Sequence, residues 1–231
     1  KRKSLHQLWN LDTANAPMTD YTIGLSDTET MIQKMKEKPW PIYKIKVGVE
    51  GDVETVAALR QHTNAVFRVD ANAGWTLEEA LHKIPLLKDL GVEMVEQPLA
   101  KDNWEGMKIL YEQSVLPLFA DESCVKEADV LACPGHFHGI NIKLTKCSGI
   151  TPARRMIAKA RELGLQVMIG CMNESSVGSA AIAQLAPLID YVDMDGPLLL
   201  SEDIATGLTF EDGRILYNNE PGLGIQVNAF S

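Results

Sequence analysis

The sequence predicts an α/β fold: a TIM-like (β/α)7β barrel of parallel strands. Three observations carry that reading. Strand-like and helix-like runs alternate at steps of roughly 20 to 25 residues, which specifies a parallel sheet with helical crossovers. The strand-like runs number eight, which favours a closed barrel over an open doubly wound sheet. No glycine-rich phosphate loop of the GxGxxG or GxxxxGK type follows any of them, and this weighs against a nucleotide-binding sheet.

The first strand-like run covers residues 21–25. Asp27-Thr28-Glu29 is a helix-start signature, and a helical segment runs on to about residue 38. The second strand holds Tyr43-Lys44-Ile45-Lys46-Val47-Gly48. Side chains alternate across a strand, so Lys44 and Lys46 share one face while Ile45 and Val47 pack the other. On an exposed edge strand two such lysines are ordinary. On a buried strand they are costly unless something anionic lies between them.

A helix over 52–62 and a strand over 66–70 follow, the strand ending in Asp70-Ala71-Asn72. Thr76-Leu77-Glu78-Glu79 resembles a capping box, opening a helix that Gly91 stops. The pattern repeats with a strand at Met94-Val95-Glu96-Gln97-Pro98, a helix over 104–112, and a strand over 118–122 ending in Asp121-Glu122. After a short helix come a strand over 139–146 with Lys143, a helix over 151–163 and a strand over 166–171. An Ala-rich helix over 175–188 and a last strand over 191–195 complete the series. Residues 208–216 carry an Asp-Gly hairpin signal and are predicted to form a hairpin outside the barrel.

Composition narrows the function. A chain of 231 residues, 45% hydrophobic and 23% charged, suits one large α/β domain or two small ones. The formal net charge of −9 argues against non-specific nucleic-acid binding. No apolar run approaches the length of a membrane span. Cys124, Cys133, Cys147 and Cys171 have neither metal-ligand spacing nor a secreted disulfide pattern, so reduced thiols and a cytoplasmic location are expected. The chain starts at Lys1 inside a basic amphipathic stretch ending in Leu8-Trp9, which reads as the tail of a helix and the chain as the C-terminal portion of a longer one.

In a parallel barrel the carboxyl ends of all strands lie at one mouth, and active sites are built there. Strand two brings Lys44 and Lys46 to that face, and strands three, four and five end in Asp70, Glu96 and Asp121. Strand six carries Lys143, and strand eight carries Asp193 and Asp195. Lys146, three residues past Lys143, is expected to face solvent. The three carboxylates lie 26 and 25 residues apart, so each is expected at a comparable place on consecutive strands. Carboxylates converging in this way repel one another unless a hard divalent cation neutralises them. Oxygen-only ligands suit Mg²⁺ or Mn²⁺ rather than zinc.

Lys-x-Lys, Val-Asp-Ala-Asn, Val-Glu-Gln-Pro, Ala-Asp-Glu-Ser and Asn-Ile-Lys-Leu, in that order, closely resemble the enolase superfamily, in its muconate-lactonising-enzyme subgroup. The resemblance runs from about residue 21 to 228. It implies an N-terminal capping domain largely absent from this chain, so residues 1–20 would be the tail of a cap or linker helix. Residues 21–200 would be the barrel, and 201–231 a hairpin and return segment toward the cap. It also implies Mg²⁺, or Mn²⁺ as a substitute, on Asp70, Glu96 and Asp121, with Lys46 and Lys143 exchanging a proton on opposite faces of a carbon α to a carboxylate. Lys44 would be the electrostatic helper. Repulsion among the lysines and the metal is expected to lower a lysine pKa toward neutrality.

Within the subgroup, Asp193-Met194-Asp195 resembles the Asp-x-Asp that binds the free ammonium of a dipeptide in the dipeptide epimerases, and Cys171 and Met172 are expected to line that pocket. Glu174 receives no role beyond a possible helix-start carboxylate. The resemblance thus implies a small-molecule dipeptide as partner, of the L-Ala-D/L-Glu type, and a homo-oligomer. An N-acylamino-acid racemase, an o-succinylbenzoate synthase, or a metal-binding scaffold without catalysis are the alternatives.

Overall fold

Eight parallel strands lie side by side in chain order, β1 to β8. They are β1 (Tyr21–Ile23), β2 (Ile42–Lys46), β3 (Val66–Asp70), β4 (Val92–Glu96), β5 (Leu118–Ala120), β6 (Gly139–Lys143), β7 (Gln166–Gly170) and β8 (Tyr191–Asp193). A bridge between Thr19 and Val192, with Met194 N donating to the Thr19 hydroxyl at 2.9 Å, brings β8 back to β1 and nearly closes the ring. These features belong to a computed structural model that describes residues 2–228. Lys1 and residues 229–231, the extremes of the first and last segments delimited above, lie outside the described residues.

Helices link the strands, with a 3₁₀ helix (Glu127–Ala132) between β5 and β6: α1 (Leu5–Leu8), α2 (Thr28–Glu37), α3 (Asp52–Arg60), α4 (Leu77–Asp89), α5 (Trp104–Gln113), α6 (Leu144–Cys147), α7 (Ile150–Glu162) and α8 (Ser176–Ala183). Local chemistry sets their ends. The Asp27 side chain accepts from Thr30 N to open α2, and Thr76 with Glu79 forms the expected capping box of α4. Gly91, at φ 76, ends α4 in a conformation that side chains avoid. α7 buries Ala153, Met156, Ile157 and Ala160, one stripe of a helix, against β6 and β7.

Inside the barrel, Met94, Phe119 and Met168 cluster with Tyr191 packed against them. Each lies two residues before a residue at the mouth (Glu96, Asp121, Gly170 and Asp193), so this apolar layer shares their inward face and forms the floor of the site. Gly139 makes room for it, because a Cβ there would run into the Phe119 ring.

Several expected boundaries move. β5 stops at Ala120, and Asp121 begins the following loop. β6 ends at Lys143 and turns at once into α6, so Lys146 lies on a helical turn closed by Ser148 N donating to Leu144 O. The Ala-rich helix breaks before Pro187, which stands in a separate 3₁₀ turn, Ala186–Leu188. β8 ends at Asp193, leaving Asp195 with helical backbone angles at the start of the 3₁₀ turn Gly196–Leu199. Near the N-terminus the described residues form one α-helical turn, α1, which Ser4 and Gln7 cap reciprocally, and a 3₁₀ turn, Thr13–Asn15. The hairpin is as predicted, Thr209–Glu211 against Arg214–Leu216, with Asp212 and Gly213 both at positive φ. Ser4 pairs with Gly222, which sets the N-terminal turn against the segment that follows the hairpin. No helix among the described residues is long and apolar enough to cross a membrane.

Candidate active site

At the carboxyl ends of the strands is a cavity of about 420 Å³, lined by Lys44, Lys46, Asp121, Lys143, Asp193 and Asp195 among others. Register explains the convergence. Lys46 stands opposite Asp70, and Asp70 opposite Glu96. The partner of Glu96 on β5 is Phe119, so Asp121 lies two residues further along and keeps the same inward face. That two-residue stagger corrects the expectation of three equivalent positions; it is the shear that a closing barrel requires. β2 and β6 are separated by three strands in either direction round the ring, so Lys46 and Lys143 face each other across the mouth.

The charges are densely paired. Lys44 is buried; its Nζ donates to Asp193 Oδ2 at 2.8 Å and lies 2.8 Å from Glu96 Oε2 and 3.3 Å from Asp70 Oδ2. Lys46 Nζ donates to Asp70 Oδ2 at 2.6 Å and to Asn72 Oδ1 at 3.0 Å. Lys143 and Lys146 hold the two oxygens of Asp121, each at 2.7 Å. Lys146 therefore lines the site instead of facing solvent. The α6 turn bends it back over the mouth, where a continuing strand would have carried it away.

Protonation follows from these contacts. Burial opposes a charge on Asp70, but Lys44 and Lys46 outweigh it and bring its carboxyl down to about 2. Glu96 goes the other way: burial, then the charge of Asp70, push it up to about 7. Burial works against the Lys44 ammonium, yet Asp193, Glu96 and Asp70 hold it well above the usual lysine range. Lys143 is likewise raised, Glu96 and Asp121 outweighing its burial. Each of these two ammonium groups stands among carboxylates, which hold it charged.

Asp70, Glu96 and Asp121 fit a hard divalent cation. All three are buried and offer only oxygen. Glu96 Oε1 accepts from Asn141 Nδ2 at 2.7 Å, while Oε2 accepts no hydrogen bond and has only the ion pair with Lys44 Nζ at 2.8 Å. Even with Lys44 beside it, burial and Asp70 push Glu96 up to about 7, so the three carboxylates gather more negative charge than the site offsets, a charge that a divalent cation would relieve.

A second acidic group lies across the mouth. Cys171, Asp193 and Asp195 bring one ligand atom each within 4.8 Å of one another. Asp195 Oδ2 accepts from Thr22 N at 2.6 Å, and the Cys171 sulfur is 3.6 Å from Asp195 Oδ1. Burial and the two aspartates raise the Cys171 thiol, so it stays protonated and serves as a donor. Burial, then Asp193, push Asp195 up to about 7. Lys44 overcomes the burial of Asp193 and keeps it below the usual carboxylate range. Met172 is exposed at the rim, and its N–H donates to Glu174 Oε1 at 2.9 Å. Glu174 thus ties down the loop after β7, and Ser175, not Glu174, caps α8.

Three further residues shape the site. Asn141 precedes Lys143 by two, so strand parity alone points it inward. Thr22 lies opposite Lys44 on β1. Gln97 is fully buried at φ 34; its Oε1 accepts from Asp121 N and Ser123 N, and its Nε2 donates to Leu99 O and Ser123 Oγ. The Glu-Gln-Pro motif flagged it, but only the fold shows it clamping the turn that carries Asp121.

The fold and this arrangement of lysines and carboxylates define a barrel of the enolase kind. The chain belongs to the Enolase C-terminal domain-like family, whose model matches residues 27–231. It is 58% identical over 227 residues to the L-Ala-D/L-amino acid epimerase of Flavobacterium johnsoniae, covering 98% of this chain and 68% of that protein. Among solved structures it is similar to a substrate-liganded L-Ala-D/L-Glu epimerase from Bacillus subtilis, with TM-score 0.92 and 31% identity, covering 99% of this chain and 68% of that one. It is also similar to a dipeptide epimerase from Cytophaga hutchinsonii complexed with Mg and D-Ala-L-Val, with TM-score 0.90, 28% identity, and coverage of 98% and 66%. The chain thus spans about two thirds of the length of these relatives.

Proposed function

We propose that this chain is the catalytic barrel of a Mg²⁺-dependent dipeptide epimerase of the L-Ala-D/L-Glu kind, inverting the carbon α to the C-terminal carboxylate. The observation that carries the reading is the Asp193, Asp195 and Cys171 group, set across the mouth from the Asp70, Glu96 and Asp121 carboxylates. A substrate with a carboxylate at one end and a free ammonium at the other matches both ends of the cavity.

Asp70, Glu96 and Asp121 would hold Mg²⁺, or Mn²⁺ in its place, which supplies positive charge to the substrate carboxylate and to the charge that develops on it. Lys46 and Lys143 stand on opposite sides of the mouth, each bonded to one of these carboxylates. Lys46 then removes the α-proton on one face and Lys143 returns one on the other, with the roles reversed for the opposite epimer. Between the two transfers the substrate is an enediolate. Buried Lys44 adds positive charge beside that developing charge and holds Asp193 ionised. Asp193 and Asp195 accept the substrate ammonium, while Cys171 and Met172 line that end. The net charge of −9 supports a small-molecule partner rather than nucleic acid, four free cysteines support the cytoplasm, and a homo-oligomer belongs to the same proposal.

Proton NMR of the full-length protein in D₂O with Mg²⁺ tests the reading, with L-Ala-L-Glu offered beside N-succinyl amino acids. Loss of the C-terminal α-proton signal and growth of the diastereomer are expected. Exchange of the acylated compounds alone would overturn the role of Asp193 and Asp195 and favour the racemase; no exchange across a dipeptide panel would favour a scaffold.

A further inference from the structure

Asp20, just before β1, is a fully buried carboxyl that the mechanism above does not use. Its Oδ2 accepts from Arg68 Nη1 at 2.9 Å, while Oδ1 finds no donor at all. Arg68 has little left to offer, since its Nε is committed to Glu93 at 2.9 Å and its guanidinium lies over the Tyr191 ring. The Asp20 N–H donates to Val192 O at 3.4 Å, which sets this buried carboxyl beside the equally buried one of Asp193. Two carboxylates cannot bond to each other unless one of them carries a proton.

The surroundings decide which. Asp193 accepts from Lys44 Nζ at 2.8 Å, an ammonium that Glu96 and Asp70 share, and has the Cys171 sulfur 4.0 Å from its Oδ1, whereas Asp20 shares Arg68 with Glu93 and its Oδ1 has no donor. The charged groups facing Asp20 are Lys44 from β2, Arg68 from β3, Asp193 from β8 and Asp195 just beyond it. Burial and then Asp193 raise Asp20 well above the carboxylate range, against the pull of Arg68 and Lys44.

We propose that Asp20 is a positioning residue, a neutral carboxylic acid whose proton bonds the Asp193 carboxylate and fixes the ammonium-accepting pair from beneath; this rests on the reading of Asp193 and Asp195 given above. A neutral donor orients Asp193 without cancelling its charge and without adding a third negative charge to the pair. The proton also satisfies the otherwise orphaned Asp20 oxygen.

Two variants of the full-length protein test it. Asp20→Asn presents a donor to Asp193 and an acceptor to Arg68 but cannot titrate, whereas Asp20→Leu offers neither. The first readout needs no substrate. At about pH 9, where groups with pKa near 7 are ionised, infrared spectra should show a protonated-carboxyl carbonyl band in the wild type that Asp20→Asn lacks. The second is kinetic. Asp20→Leu should raise KM for a free-amino dipeptide at least about 10-fold with kcat changed less than about 3-fold, and Asp20→Asn should restore KM to within about 3-fold of wild type. Absence of the band, or equal losses in the two variants, would overturn the proposal. Should Asp20→Leu fail to fold, the infrared comparison decides alone. Wild-type silence toward every dipeptide would sink the epimerase reading while leaving the infrared result to stand.

Discussion

Asp195→Asn separates what Asp195 does for a ligand from what it does to stability. The residue is 2% exposed, and burial followed by the charge of Asp193 raises its carboxyl from 3.8 to about 7. An acid whose folded-state pKa lies above its unfolded one binds more protons folded than unfolded between the two values. Stability therefore falls as pH rises through that window, from about 4 to about 7. At about 1.4 kcal/mol per pH unit, the gap corresponds to at most roughly 4 kcal/mol. Asparagine can still accept from Thr22 N and has no charge to bury. Urea denaturation should show the two proteins nearly equal at about pH 4, and the variant more stable by up to roughly 4 kcal/mol at about pH 8. The same change weakens capture of an ammonium. A hydrogen bond to a charged group contributes roughly 1.5–3 kcal/mol, so KM for a free-amino dipeptide should rise about 10- to 150-fold. A variant less stable than wild type at the higher pH would show that the Asp195 charge is already compensated within the fold. An unchanged KM would remove Asp195 from the ammonium site.

Two other outcomes follow from the same geometry. Lys143→Met removes one of two lysines on opposite sides of the mouth, so epimerisation should fall by roughly 10²- to 10⁴-fold, while in D₂O the α-proton of one epimer alone continues to exchange through Lys46, as NMR of each separate diastereomer would show; loss of exchange from both would refute the division of labour. Binding of Mg²⁺ at about pH 7 should release a proton, because Glu96, raised to about 7 by burial and Asp70, is partly protonated and must ionise to coordinate. Calorimetry in buffers of different ionisation enthalpy would detect it, and a titration with no buffer dependence would remove Glu96 from the ligand set.

Much of this protein was legible in its sequence. The eight alternating runs, the Thr76 and Glu79 capping box, the Gly91 stop and the Asp212-Gly213 hairpin depend on neighbours within a few residues, and local chemistry fixes them. Parity along a strand likewise put Lys44, Lys46, Asp70, Glu96 and Lys143 on the inward face. Parity could not place Lys146 or Asp195, because each lies past the last residue of its strand, where the chain has already turned. Nor could it reveal Gln97, three of whose four hydrogen bonds reach from the end of β4 to the turn after β5.

The sequence by itself determined the fold class, the order of the strands and the set of ionisable residues at the mouth. Only the tertiary structure decided which charge stands against which: Lys44 on Asp193 rather than beside a repelling Lys46, Lys146 on Asp121, and Asp20 beneath Asp193. The physical reason is distance. Hydrophobic periodicity and turn chemistry act along the chain, whereas ionisation responds to burial and to charges a few ångströms away on strands that only barrel closure brings together.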